Sequence, residues 1–96
     1  MSPRAEMESV LKALEDEYRF WMVEALKMGR GIELMEEEIQ DHDSELGSDR
    51  AADLYRRLSF IRDKHHDIEE RILAIRQRLE ELRERLNGMP ESGGNG

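Results

Sequence analysis

Cysteine is absent from the 96 residues. Disulfides, thiolate-bound zinc, iron–sulfur clusters and cysteine nucleophiles are therefore excluded together. Long apolar runs are missing as well. The longest, Phe20-Trp21-Met22-Val23, falls far below the roughly 20 residues that a membrane-spanning helix needs, so no membrane partner is expected. The opening residues Met1-Ser2-Pro3-Arg4-Ala5-Glu6 hold no apolar segment of the secretory kind, and the expected location is cytoplasmic. Proline occurs only at Pro3 and Pro90, which leaves the intervening chain free to be helical. Positive charge is in deficit: 15 Lys and Arg stand against 23 Asp and Glu, a formal net charge of −8. Direct binding to nucleic acid is not expected, because it requires cationic surface that displaces counterions.

What is present is charge and rhythm. Charged residues make up 40% of the chain and hydrophobic residues 38%, the composition of a charge-flanked helical rod more than of a globule with a large core. The length suits one small domain with a thin margin of stability. Met7, Leu11, Leu14, Tyr18, Trp21, Ala25, Met28, Ile32, Met35, Ile39, His42 and Leu46 alternate steps of four and three. Ala51, Leu54, Leu58, Ile61, His65, Ile68, Ile72, Ile75, Leu79, Leu82 and Leu86 do the same. Each series is a sustained a/d heptad stripe, the pattern that holds one face of a helix against a partner. Ser2-Pro3 is an N-cap followed by proline at the first helical position. Gly47-Ser48 reads as a C-terminal glycine followed by a new N-cap, with Asp49 in the next first turn. Asn87-Gly88, with Pro90 beyond, reads as a stop.

The expected fold is all-α: an antiparallel two-helix coiled-coil hairpin. Its helices cover 3–46 and 49–87, its turn 47–48, and one domain spans 1–90 with a disordered tail over 91–96. Each helix would run about 40 residues, roughly 60 Å at 1.5 Å per residue. So short a turn makes the helices antiparallel. The register sets Ile39 beside Leu54, Ile32 beside Ile61, Met28 beside His65, Trp21 beside Ile72 and Met7 beside Leu86 without a skip. Flanking charges favour the same pairing, with Glu17 expected against Arg78, Glu24 against Arg71, Glu38 against Arg57, Glu8 against Arg83 and Glu15 against Arg76. Residues 1–48 carry 5 basic and 13 acidic side chains, and 49–96 carry 10 of each, so an acidic helix folds against a more basic one. Gly29-Arg30-Gly31 costs helix propensity, yet the beat passes through it unbroken and one continuous helix is expected.

Several apolar residues lie off the seam: Phe20, Met22, Val23, Leu26 and Leu34 in the first half, Tyr55, Phe60 and Leu73 in the second. Exposed apolar surface of this kind marks an interface, and the economical reading is a homodimer in which two hairpins form a four-helix bundle. The leading functional expectation is a non-enzymatic scaffolding or adaptor module that contacts itself and another protein.

Two alternatives follow from the charged residues. His65 occupies a seam position, where a polar residue commonly fixes register or oligomeric state. Asp63 and His66, three residues apart, share a helical face, and with His65 and Glu36 they form a weak candidate set for iron or zinc on dimerisation. In size and two-helix outline the chain resembles encapsulated-ferritin-like proteins. That resemblance implies an iron site completed by dimerisation and, with it, ferroxidase-like activity, although Glu-x-x-His occurs nowhere here. The second alternative is an acidic nucleic-acid mimic that inhibits a basic partner protein. No cofactor belongs to the leading reading, and no phosphate-cradling loop, nucleophile elbow or His-Glu-x-x-His is present to suggest an enzyme.

Overall fold

In a computed structural model the described residues are 2–42 and 47–89. They form two helices packed against each other: α1 over Pro3–His42 and α2 over Ser48–Asn87, each of 40 residues. No strand occurs among them. The all-α helical hairpin expected from the heptads is therefore the fold. α1 passes through Gly29 and Gly31 without interruption. The stretch 43–46 that was assigned to the first helix, with seam residue Leu46, and the tail 91–96 lie outside the described residues.

The start of α1 follows its capping residues. Ser2 Oγ accepts a hydrogen bond from the Ala5 amide at 3.1 Å, and the Ser2 carbonyl accepts one from the Glu6 amide at 3.0 Å. Pro3 then occupies the first helical position, where no amide hydrogen is required. The start of α2 and the roles of Gly47 and Gly88 differ from expectation. α2 begins at Ser48 instead of 49, and the carbonyl of Gly47 takes its first helical bond, from the Ala51 amide at 2.9 Å. Gly47 thus fills the N-cap position that was assigned to Ser48. No glycine among the described residues has positive φ, so neither Gly47 nor Gly88 closes a helix in the left-handed conformation. At Gly88 the chain tightens instead. Its amide bonds the carbonyls of Glu84 at 3.1 Å and Arg85 at 3.2 Å, and Met89 bonds Leu86 at 3.1 Å.

The helix pair divides into two compact units: Met1–Met22 with Arg71–Gly96 (the terminal unit), and Val23–Glu70 (the hairpin unit). In the terminal unit the buried residues are Ile72, Ile75, Leu79, Leu82 and Leu86, all from α2. Their α1 counterparts Met7, Leu11, Leu14, Tyr18 and Trp21 are half-buried. In the hairpin unit Ile32, Ile39, Leu54 and Leu58 form the core, with Met28, Met35 and Ile61 packed on it. Every described seam residue except His42 is buried or half-buried, and every buried residue belongs to the seam. No described side chain reaches complete burial; Leu58, Leu79 and Leu82 come nearest. Two helices alone cannot enclose a residue on all sides, which leaves the core thin for its length.

Candidate self-association surface

The seam takes the aliphatic residues out of water and leaves a second apolar set in it. All eight off-seam residues singled out by spacing are exposed, from 37% at Met22 to 71% at Leu26. Phe20, Met22 and Leu73 belong to the terminal unit, where Val10 is exposed as well. Val23, Leu26, Leu34, Tyr55 and Phe60 belong to the hairpin unit. Their positions follow from helix geometry. Residues three and four apart share a face, so one step off the a/d beat places a side chain beside the seam rather than in it.

Polar contacts hold the terminal unit together across the helices. Arg4 donates from Nη1 to the carbonyls of Leu86 at 3.1 Å and Met89 at 3.2 Å, while its Nε pairs with Glu8 at 2.9 Å. One side chain of α1 thereby binds carbonyls at the end of α2 and just beyond it, where helical bonding runs out; the Leu86 carbonyl also accepts from the Met89 amide. Glu15 pairs with Arg83 at 3.1 Å. Tyr18 Oη accepts a hydrogen bond from Arg76 at 3.2 Å, and that bond is the first cause holding the Arg76 pKa above its ordinary value. The contact therefore favours the charged guanidinium. Glu17 Oε1 accepts from Trp21 Nε1 at 3.3 Å and from Arg71 at 3.1 Å, and Arg71 lies over the Trp21 ring at 4.9 Å. Phe20 meets Trp21 edge-on, with ring centroids 5.1 Å apart.

These contacts replace the expected flank pairs. Arg83 takes Glu15 instead of Glu8, and Arg71 takes Glu17. Glu8 is held by Arg4, Glu24 by Lys27, Arg57 by Asp53 and Arg78 by Glu81. Glu36 pairs with Arg62 at 3.1 Å. Glu15–Arg83 and Glu36–Arg62 share one offset, each arginine lying a heptad beyond the glutamate's assigned partner position. Side chains lean toward the N-terminus of their own helix, so across an antiparallel pair such an offset brings the two charged ends together. Arg71 departs in the other direction because the Trp21 face draws it.

The hairpin unit carries two hollows on its surface. One of about 360 Å³ is lined by Glu36, Ile39, Gln40, Tyr55, Leu58 and Arg62, and the Glu36–Arg62 pair runs along it. The other, of about 460 Å³, is lined by Met35, Arg56, Arg57, Phe60 and Ile61 and is largely apolar. Lys64 stands over the Phe60 ring at 5.4 Å. Beyond Gly31 there is open space: an added Cβ would meet nothing within 4 Å. At Gly29 it would lie 3.6 Å from His65 Nε2, an ordinary contact.

Of the residues proposed for metal, His65, His66 and Glu36 are engaged separately, and Asp63 is exposed. His65, half-buried in the seam, sets Nδ1 3.4 Å from Glu69, and His66 pairs with Glu70 at 3.1 Å. Glu36 is taken by Arg62. His42 is exposed at the end of α1. Among the described residues no group of three or more His, Cys, Asp or Glu lies close enough together to hold an ion. No described helix is long and apolar enough to cross a membrane.

The part played by three residues escaped the sequence reading. Arg4 was seen only as part of a polar start. Trp21 was assigned to the seam, although its four-residue spacing from Glu17 was a legible signal. Arg56, at the rim of the apolar hollow, could have been found from its four-residue spacing to Phe60. Compared with known proteins, the chain matches no family model, no curated protein and no solved structure.

Proposed function

We propose that this chain is a non-enzymatic protein-interaction module, a scaffold or adaptor whose hairpins self-associate into a four-helix coiled-coil bundle. One observation carries the reading. Among the described residues nine large apolar side chains are exposed, on a helix pair whose own seam encloses no described residue completely. Burial of apolar surface stabilises by about 25 cal/mol per Å², and a second hairpin supplies the cover that two helices cannot. The dense surface charge suits an aqueous compartment, and the cytoplasm is taken as the setting. Self-association would present paired copies of whatever each hairpin carries, which is the service a scaffold performs.

Sedimentation equilibrium over a wide concentration range tests this, paired with thermal melts followed by circular dichroism. The expected result is a dimer that dissociates on dilution, with a melting temperature that rises with protein concentration. A monomer at every concentration, with a fixed melting temperature, would overturn the proposal.

A further inference from the structure

Resting on that reading, we infer which face of the hairpin unit a second copy covers and how the copies are oriented. The two flanks of this unit differ. On one, Glu36 and Arg62 join the helices over the seam. On the other, charges turn back onto their own helices: Arg57 to Asp53, Glu24 to Lys27, Lys64 over Phe60. That second flank holds the 460 Å³ apolar hollow, exposed Leu34 and Phe60, and the open space beyond Gly31.

Charge selects the occupant. On this flank α2 offers Arg57 and Lys64 beside Asp53 and Asp67, with Arg56 lining the hollow, while α1 offers Glu24, Glu38 and Asp41 beside Lys27, so that α1 is the more acidic side. A two-fold axis running across the helices would set α1 on α1 and α2 on α2, like charge on like. An axis running along the helices instead lays each acidic α1 antiparallel on the more basic α2 of the other copy. The levels then match those of the heptad register, which sets Met35 beside Leu58 and Ile32 beside Ile61, residues that share one core cluster. Leu34 of one copy comes over Phe60 of the other, Glu38 over Arg57, and Lys27 over Asp67. Asp41 comes level with Asp53, whose charge Arg57 already balances. Gly31 offers no side chain to hold the second copy away.

The absence of cysteine provides a clean background for the test. Separately prepared Leu34→Cys and Phe60→Cys chains are mixed and treated with a short thiol-to-thiol cross-linker. Cross-linked pairs of unlike chains should dominate over pairs of like chains. In parallel, Glu38→Arg and Arg57→Glu are each expected to weaken the dimer by about tenfold alone, and a one-to-one mixture should recover the parent affinity. A pair internal to one chain would give no such rescue. Predominance of like-chain cross-links would overturn the orientation. A sedimenting dimer with neither cross-link nor response to charge reversal would overturn the face, and leave self-association standing. A monomer throughout would remove the proposed function and this inference with it.

Discussion

The terminal unit and the hairpin unit are cut from one heptad pattern, yet they are secured differently. The first combines five buried α2 residues with polar bridges from Arg4, Glu15, Glu17 and Tyr18 to α2. Among its described residues the second has four that are buried, with two glycines in α1 and an imidazole in the seam. A repeating apolar stripe therefore sets which residues meet, and local substitutions along it set how tightly. The end bridged by side chains is expected to be the firmer one.

The largest expected effect tests that contrast in the core. Leu79 and Leu58 are equally buried, one in each unit. Leu79→Ala should cost about 3 kcal/mol and Leu58→Ala nearer 2, since the cost depends on how readily neighbours close the cavity. Urea denaturation below the association range measures both. Equal losses would erase the distinction between the units.

The next effect sharpens the contrast by removing it. Below the association range, Gly29→Ala with Gly31→Ala should raise stability by about 1 kcal/mol for each position, because helix propensity improves and neither new methyl meets an obstacle within the hairpin. Amide hydrogen exchange should slow over 23–42 more than over 3–22. Unchanged protection in 23–42 would show that the glycines do not soften this unit.

Smaller still are the polar bridges. Arg4→Ala should cost about 1 kcal/mol through the hydrogen bonds it removes from the Leu86 and Met89 carbonyls. Glu36→Gln should cost only a few tenths of a kcal/mol, an exposed pair being weak and screened by salt. Repeating both melts at high salt should erase most of the Glu36 effect and much less of the Arg4 effect. Equal salt sensitivity would reduce the Arg4 contacts to another surface pair.

How much was legible in the sequence follows the range of each interaction. Helix, seam and antiparallel pairing rest on dozens of residues in phase, so isolated exceptions such as Gly29 and Gly31 could not displace them. The Ser2 cap was legible because its partners are three and four residues away. Glu15, Glu17 and Arg71 were placed on the correct flanks and given the wrong partners. Flank geometry alone fixes a row, while the choice along the row depends on side-chain lean and on the Trp21 ring. The eight off-seam apolar residues were legible as exposed, since exposure follows from helical phase. The hollow at Phe60 was not, because it depends on how Arg57 and Lys64 fold back.

The lone tryptophan carries a practical consequence. Trp21 lies in the bridged unit with Glu17 on its indole nitrogen and Arg71 on its face. Its emission is thus a built-in optical gauge of that end of the molecule. Heating that frays the glycine-bearing end first will dim the helical ellipticity while the fluorescence maximum stays where it was, and the lag between the two signals will read out the difference in firmness without any label.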